Sequence, residues 1–481
     1  MRRVNGEALG ERGAAQAAQR TVLVVSVTHR DHRELKVLFP SGIDFLFHDY
    51  ASASLEELIS GIAREGAYAE DPHAEIERIL TQFDGIKIDA VISTDDYPGA
   101  ALAAIVAKRL GLPGPDPRVV LICQHKYLSR VAQAGLVPDA VPSFTLIDTM
   151  EGAPLPDETS FPLFVKPVKS FFSVGAERVA SHAELAALLP RWRALDQFFL
   201  PLERMLERHI GQSIGSKRLI AEGVLKGVQV TVEGYAFGGK ASVMGVVDSI
   251  MFPGTIAFSR FDYPSRLAER VQAHMADIAV TLMEGLGFDN GLFNIEMMYD
   301  SETGRTAIIE INPRMASQFA DLYEKVDGTS SYQVLLDIAE GRAPRFTRGE
   351  GRYPFAASCV LRAFADHLVA RLPAAAELER LAGLYPDIRV ELHAAVGRKL
   401  SDELQDGHSF RYGIVNLGGR DLAEVLETFE AVREALGIEL VPVESAQETE
   451  TRLAAREAAE PQAQLLLMVS AIQPANGATR A

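Results

Sequence analysis

Polar residues alternate with apolar ones where the apolar segment TAIIEINPRMAS (306–317) ends: Glu310, Asn312 and Arg314 occupy every second position. Because strand side chains alternate between the two faces, these three groups are predicted to project from the same side. A carboxylate, an amide oxygen and a guanidinium in one row indicate a site where a cation lies beside an anion.

A neighbouring strand supplies a further carboxylate. NGLFNIEMMYD (290–300) precedes SETGR (301–305), whose Ser, Thr and Gly are typical of a hairpin turn. Opposed residues in a hairpin lie ~5 Å apart, which brings Glu296 near Glu310. Two carboxylates and an amide repel one another unless a cation separates them, and a few hard oxygen ligands suit Mg²⁺. The alternative is a solvated hairpin face with a surface ion pair.

Two lysines follow an apolar strand in FPLFVKPVKSFFSVGAERV (161–179), which is predicted to be strand, loop and strand. Lys166 closes the strand, where a buried ammonium is costly unless an anion compensates it. Lys169 and Ser173 lie in the following loop, which ends at Gly175 and is suited to covering phosphates with N–H groups and hydroxyls. The alternative is a surface turn whose lysine reaches the solvent.

The segment EGVLKGVQVTVEG (222–234) joins an apolar stretch, a glycine turn and an alternating strand. A short connector of this kind can bind an adenine ring through its backbone. Gln229, Thr231 and Glu233 alternate with valines, so they share one face. The alternative is a half-exposed strand with a polar outer face.

An open α/β scaffold is predicted upstream of these residues. TVLVVSVTH (21–29) and IDAVISTDD (88–96) have the pattern of buried parallel strands, and 98–114 has the pattern of a helix. Such sheets bind ligands at the carboxyl ends of their strands. Asp95 and Asp96 lie at such an end together with Thr94. The two aspartates are predicted either to cap the next helix or to contact a ligand.

The remaining pattern predicts longer helices and a last unit. We expect one helix over 117–134 and a second over 264–286, with Ser265 as its cap. Residues 346–445 are predicted to form a separate mixed α/β unit. No internal repeat is visible along the chain.

Composition narrows the class of protein. The chain has 481 residues and a net charge of −17, which disfavours a nucleic-acid binder. No apolar run approaches the ~20 residues of a membrane span, and no secretory signal pattern opens the chain. Cys123 and Cys359 form no disulfide framework, so we expect a reduced, cytoplasmic setting. The ends, 1–20 and 446–481, are predicted to be flexible tails.

Taken in order, these motifs resemble those of the ATP-grasp superfamily over about 21–345. The matching segments are HKYLSR (125–130), VKP (165–167), EGVLKGVQ (222–229), NIE (294–296) and EINPR (310–314). The resemblance implies α/β and α+β architecture in three parts. These are an N-terminal open parallel-sheet, pre-ATP-grasp domain (21–120), a two-subdomain ATP-grasp fold (121–345, small subdomain about 140–222) and the C-terminal mixed α/β unit (346–445).

The resemblance also implies roles for individual residues. Three residues would be catalytic: Arg314, Lys166 and Glu233. Arg314 would steady the acyl-phosphate and tetrahedral states, Lys166 would neutralise charge that builds on the phosphates, and Glu233 or a nearby carboxylate would accept the proton of the amine. Two departures from the family stand out: Gln229 replaces the usual Glu, and Phe171 and Phe172 replace glycines of the phosphate loop. ATP phosphates would be contacted by Lys126, Lys166, Lys169 and Ser173, adenine by the backbone of Glu222 and Leu225, and ribose by Gln229. Two Mg²⁺ ions, with Mn²⁺ as an alternative, would be bound by Glu296, Glu310 and Asn312.

The implied activity is that of a carboxylate–amine ligase of the L-amino-acid ligase (dipeptide synthase) type. Such an enzyme makes an amide or peptide bond through an acyl phosphate and releases ADP and phosphate. The partners would be a small-molecule carboxylate and an amine, with Arg260, Ser317 and Gln318 near them, and homodimers are common in the superfamily. The alternatives are a carboxylase that uses bicarbonate and a non-catalytic ATP-binding regulatory protein.

Overall fold

A three-stranded parallel sheet opens the described part of the chain, as the apolar β-branched runs predict. The computed structural model describes residues 19–49, 71–157, 160–169, 176–193, 196–215, 218–402, 405–406, 409–443 and 469–470. The sheet has the order β2-β1-β3, with Val22–Val25 wholly buried between helices. Its elements are β1 (Arg20–Val25), α1 (His29–Leu38), β2 (Ile43–His48), α2 (Pro72–Gln82), β3 (Ala90–Ile92) and α3 (Gly99–Leu110).

Two helices, α4 (Pro117–Gln124) and α5 (Lys126–Leu136), stand where one helix over 117–134 was expected. That expectation is wrong because the backbone of His125 is extended (φ −94°, ψ 103°) and its Nδ1 accepts the N–H of Leu128 as a cap. The break makes Lys126 the first residue of α5. Its own N–H therefore has no helical partner and donates to the carbonyl of Val168 at 2.8 Å.

A four-stranded antiparallel sheet follows, with the order β4-β7-β5-β6. One face packs its apolar side chains against the helix that follows β6, and the cluster includes Ile147, Val165 and Leu185. The elements are β4 (Phe144–Asp148), β5 (Leu163–Pro167), β6 (Glu177–Val179), α6 (His182–Arg193), α7 (Asp196–Ile210) and β7 (Arg218–Gly223).

A ten-stranded sheet spans the rest of the described chain, with the order β12-β11-β8-β9-β10-β13-β17-β15-β19 and β16 beside β17. The unit expected over 346–445 thus extends the same sheet as the predicted hairpin, and β14 pairs separately with β18. The strands are β8 (Val228–Phe237), β9 (Lys240–Met251), β10 (Phe258–Tyr263), β11 (Gly291–Asp300), β12 (Arg305–Asn312), β13 (Phe355–Ala363), β14 (His367–Arg371), β15 (Arg389–Leu392), β16 (Gln405–Asp406), β17 (Ser409–Gly419), β18 (Glu439–Pro442) and β19 (Val469–Ser470).

Five helices cover this sheet, and the first differs from its predicted bounds. Expected from 264 with Ser265 as cap, it begins at Glu269, because the hydroxyl of Ser265 donates to Asp248 of β9 at 2.5 Å. Ser265 is thereby held before the helix rather than at its cap. The helices are α8 (Glu269–Leu286), α9 (Ala320–Asp327), α10 (Ser331–Ala339), α11 (Ala375–Leu384) and α12 (Leu422–Ala435).

The predicted α/β and α+β architecture is confirmed, with the parallel sheet at the N-terminal end and the large antiparallel sheet after it. The domain boundaries remain a prediction, and the tails over 1–20 and 446–481 fall almost wholly outside the described residues. Within the described part, no helix is long and apolar enough to cross a membrane.

Candidate active site

The β11–β12 hairpin places Glu296 directly opposite Glu310, and Asn294 opposite Asn312. The register shifts after Glu296, so that Ile309 bulges out of the ladder. Its carbonyl accepts hydrogen bonds from Arg130 at 2.7 Å and from Lys166 at 3.5 Å. The bulge therefore turns a backbone oxygen, as well as the carboxylates, toward basic side chains from other elements.

The acidic pair is partly buried, and its two carboxylates repel each other. Burial and the neighbouring Glu310 raise the pKa of Glu296 to about 7. Asn312 Nδ2 lies 3.4 Å from Glu296 Oε1, and Gln229 Nε2 lies 3.0 Å from Oε2. Gln229 of β8 thus lies on the same face as the hairpin carboxylates. A cation bound here would relieve the repulsion between the two carboxyl groups.

Two buried lysines reach this region from different elements. Lys126, the first residue of α5, lies 2.7 Å from Glu310 Oε1. Lys166, at the end of β5, lies 2.9 Å from Glu222 Oε2. Arg130 also binds Glu222 at 2.7 Å. Although burial opposes ionisation, the two cations lower the pKa of Glu222, whereas burial lowers the pKa of Lys166.

Two aspartates, Asp95 and Asp96, follow the carboxyl end of β3 and make different contacts. Asp95 Oδ2 accepts the N–H of Gly99 at 2.8 Å and so caps α3. Asp96 Oδ2 lies 2.5 Å from Lys169 Nζ, and its Oδ1 lies 3.8 Å from Arg314 Nε. The helix-terminus interpretation therefore applies to Asp95. Contact of Asp96 with a ligand stays a prediction.

Glu233 of β8 contacts the chain that follows Arg314. It is fully buried, and its Oε1 accepts the N–H of Ala316 at 2.6 Å. Burial raises the pKa of Glu233 to about 8. The carboxyl group thus holds the backbone of the 314–317 segment by a hydrogen bond, and it is not exposed to solvent.

The three residues predicted to lie near the substrate form hydrogen bonds with different neighbouring residues. Arg260 Nε donates to Asp262 of its own strand at 2.8 Å, and Gln318 Nε2 donates to Ser358 Oγ at 2.9 Å. Ser317 Oγ accepts from Arg30 at 2.8 Å. Arg30 was not predicted, and its guanidinium also pairs with Glu391 of β15 at 2.8 Å. Its position in the first turn of α1, the helix that follows β1, is the sequence signal that could have indicated it.

The connector between β7 and β8 spans 224–227 and contains Leu225. Gly227 has φ +119°, and a Cβ at this position would clash with the carbonyl of Tyr299 in β11. Glycine therefore lets the connector approach the hairpin closely. Glu222 lies near the end of the adjoining strand β7, and its side chain forms an ion pair with Lys166. Ser173, which is predicted to belong to the phosphate loop, lies outside the described residues.

Part of the sequence matches known proteins. Residues 159–321 match the profile of the ATP-grasp domain. The carbamoyl phosphate synthase large chain of Thermotoga petrophila is 28% identical over 139 residues, which are 27% of this chain and 12% of that one. The chain thus spans about an eighth of the length of the curated relatives that it matches first.

Solved structures match nearly the whole chain at low sequence identity. The L-amino acid ligase of Bacillus licheniformis superposes with a TM-score of 0.67 at 17% identity, covering 89% of this chain and 99% of the ligase. The biotin carboxylase domain dimer of the Hydrogenobacter thermophilus 2-oxoglutarate carboxylase, solved with MgADP, ADP and bicarbonate, gives 0.58 at 16% identity, covering 88% and 91%. These likenesses establish the fold. The profile match confirms the resemblance seen in the motifs, and residues 159–321 correspond to an ATP-grasp domain.

Proposed function

We propose that this protein is an ATP-dependent carboxylate–amine ligase. It would form an amide or peptide bond through an acyl phosphate and release ADP and phosphate. The observation that carries the proposal is the convergence of the Glu296–Glu310 pair, Lys126, Lys166 and Arg314 on one region from separate elements. Opposed carboxylates next to two ammonium groups and a guanidinium suit a divalent cation held beside a polyphosphate.

The hairpin fits Mg²⁺ by the chemistry of its donors. Glu296, Glu310 and the amide oxygen of Asn312 are hard oxygen ligands, and Mg²⁺ completes its shell with water and phosphate oxygens. Among the described residues, no group of three or more His, Cys, Asp or Glu is placed to hold a metal. The proposed site therefore depends on nucleotide oxygens as well as protein ones. Mn²⁺ is an alternative ion with the same ligand preference.

The nucleotide would lie between the hairpin and the four-stranded sheet. Lys126 and Lys166, with Lys169 and Ser173 of the loop, would contact phosphates. The backbone at Glu222 and Leu225 would hold adenine, and Gln229 the ribose. When bound, ATP supplies the γ-phosphoryl group that turns a carboxylate into a better electrophile. The lysines neutralise the negative charge that gathers on the phosphates.

Arg314 is proposed as the catalytic residue that stabilises the oxyanion formed when the amine attacks. Its guanidinium is held near Asp96, and its main chain is fixed through Ala316 and Glu233. Glu233 was predicted to accept the proton of the amine. Its complete burial and its hydrogen bond to Ala316 instead favour a positioning role, in which it fixes the backbone of the segment that carries Arg314.

An amino acid is proposed as substrate, with Arg260, Ser317 and Gln318 near it. The support is the likeness to the L-amino acid ligase, nearly all of which this chain covers. A homodimer is proposed from the dimeric 2-oxoglutarate carboxylase domain. A cytoplasmic enzyme is consistent with Cys123 and Cys359, which are both free and buried.

A bicarbonate-using carboxylase is the second candidate, favoured by the carboxylase domain solved with bicarbonate. A matrix of amino acids and other carboxylates, screened in pairs with MgATP for phosphate release and product mass, separates the two. The ligase predicts ADP release that needs both a carboxylate and an amine. A requirement for bicarbonate would favour the carboxylase, and AMP as product would overturn the acyl-phosphate route. Tight ATP binding without turnover in any pair would favour a regulatory protein.

A further inference from the structure

We infer that Asp96, at the carboxyl end of β3, is a positioning residue that competes with ATP phosphates. Without nucleotide it holds the Lys169 ammonium and the Arg314 guanidinium in place, and the β- and γ-phosphates displace it from Lys169. The inference rests on the proposed function, because it requires ATP to bind beside these cations. It gives the N-terminal parallel sheet a direct part in nucleotide binding.

Among the described residues, the ammonium of Lys169 contacts side chains that follow β3 of the N-terminal sheet. Its side chain is only 1% exposed, and its Nζ lies 2.5 Å from Asp96 Oδ2 and 5.6 Å from the ring centroid of Tyr97. Asp96 and Tyr97 are consecutive residues just after β3. A lysine at the start of the predicted phosphate loop is therefore held against the N-terminal unit by an ion pair and a cation–π contact.

Asp96 is the anion at the centre of several cations. Although burial opposes ionisation, Lys169, Arg314 and Lys126 lower the pKa of Asp96. Within the described residues, its Oδ1 accepts no hydrogen bond and faces Arg314 at 3.8 Å. A carboxylate oxygen that is surrounded by positive charge and receives no donor occupies the kind of environment that suits a phosphate oxygen.

The other two lysines of the site show why Asp96 differs. Lys126 is paired with Glu310, which the proposal assigns to the metal, so Mg²⁺ can take the carboxylate as phosphate takes the lysine. Lys166 is paired with Glu222, which Arg130 also compensates. When Lys169 turns to a phosphate, the compensation left to Asp96 among the described residues is weaker, because Arg314 lies 3.8 Å away and forms no hydrogen bond with it. Phosphates that reach Lys169 must therefore lie close to a negative charge that is only partly compensated, which weakens their binding.

The test is equilibrium binding of a non-hydrolysable ATP analogue with a β,γ-imido bridge, in the presence of Mg²⁺, and of AMP as the matched short ligand. Asp96→Asn removes the charge and keeps the shape of the side chain. It is expected to tighten binding of the analogue by about 5-fold, the scale of one screened charge at this range. Affinity for AMP, which lacks the β- and γ-phosphates, should change less than about twofold.

Two controls make the result specific. Asp116→Asn alters a surface aspartate that pairs with Lys108 at 3.1 Å and caps α4 through the N–H of Arg118, a cap that asparagine preserves. It should leave both affinities unchanged. In a Lys169→Met background, Asp96→Asn should no longer tighten binding of the analogue, because the lysine for which the two anions compete is gone.

Unchanged or weaker binding of the analogue by Asp96→Asn, or a gain that persists without Lys169, would overturn the inference alone. Equal tightening of the analogue and AMP would also overturn it, since that result reports a general structural change. If Asp96→Asn does not fold, Asp96→Ser removes the same charge and is judged by the same outcomes. Failure of the wild-type protein to bind the analogue at all would overturn the proposed function and the inference together.

Discussion

Two pairs of carboxylates in this molecule face a common set of cations in different ways. Glu296 and Glu310 are opposed across two strands of the hairpin, where burial and mutual repulsion raise the pKa of Glu296 to about 7. Asp95 and Asp96 are consecutive at the end of β3. Burial raises the pKa of Asp95 to about 6, whereas Lys169 and Arg314 lower the pKa of Asp96 against the effect of burial.

The difference shows that pairing across strands brings acidic groups together, while succession along a chain separates them. Opposed strand residues share a face, so their carboxylates converge on one cavity and favour a shared cation. Consecutive residues leave a strand end in different directions, so one aspartate caps a helix and the other meets a lysine. The same side-chain chemistry thus gives a metal-binding proposal in one place and a cap plus an ion pair in the other.

Arg314 lies near both pairs, and its removal is expected to have the largest effect. Its charge favours ionisation of Asp95, Asp96 and Glu296. Arg314→Ala should lower turnover by ~10²-fold or more, the scale of losing one oxyanion stabiliser, while ATP binding persists. The measurement is phosphate release alongside nucleotide binding. Turnover close to that of the wild-type protein would show that the oxyanion is stabilised elsewhere.

Glu233 is a buried carboxyl group, and no described residue forms an ion pair with it. It therefore adds a third environment to the comparison. Its folded pKa of about 8 lies above the ordinary value of 4.5. Between these values the folded protein holds a proton that the unfolded chain releases, so stability falls as pH rises through this window. Glu233→Gln keeps an acceptor for Ala316 and removes the titration.

The Glu233→Gln variant should therefore gain stability over the wild-type protein as pH rises from about 4.5 to 8, on the order of 2 kcal/mol at the upper end. Thermal unfolding of both proteins at a series of pH values checks this expectation. Parallel profiles across the whole window would show that Glu233 is ionised at neutral pH in the folded protein.

Glu310→Gln breaks the opposed pair and leaves the strand-end pair intact. The loss of one charged oxygen ligand should raise the Mg²⁺ concentration for half-maximal turnover at least ~10-fold. Asp95→Asn is the matched control, because it neutralises a carboxylate of the other pair. A Mg²⁺ titration that is unchanged in Glu310→Gln would place the metal elsewhere in the molecule.

Removal of the α3 cap should have the smallest effect and should act on stability alone. Asp95→Ala leaves the N–H of Gly99 without its acceptor, at a cost of about 1 kcal/mol. A drop in melting temperature with an unchanged affinity for ATP is expected. If ATP affinity fell by an order of magnitude, Asp95 would belong to the site with Asp96, and the separation of the two roles would be wrong.

Local pattern was enough to predict the strand-borne part of the site. Alternation along 306–317 gave the shared face of Glu310 and Asn312, and the turn gave the pairing with Glu296. An apolar strand that ends in lysine gave the burial of Lys166. Each of these depends on strand geometry over a few residues, which the chain encodes locally.

The remaining features depend on contacts between distant parts of the chain. The helical pattern over 117–134 is unbroken, so the turn at His125 was not visible in it. Asp96 meets Lys169 across 73 positions, and Arg30 meets Ser317 across 287. The start of α8 depends on Ser265 bonding to β9. These contacts depend on how distant elements pack against one another, and the periodicity of apolar residues along the sequence does not predict that packing.

The formation of an acyl phosphate is the central chemical claim, and transfer of ¹⁸O tests it most directly. The carboxylate substrate found in the pair screen is labelled in both oxygens, and the released phosphate is examined by mass spectrometry. Attack of the carboxylate on the γ-phosphoryl group predicts one ¹⁸O in each phosphate, formed with ADP and one amide. Unlabelled phosphate, or label found in AMP, would contradict the account.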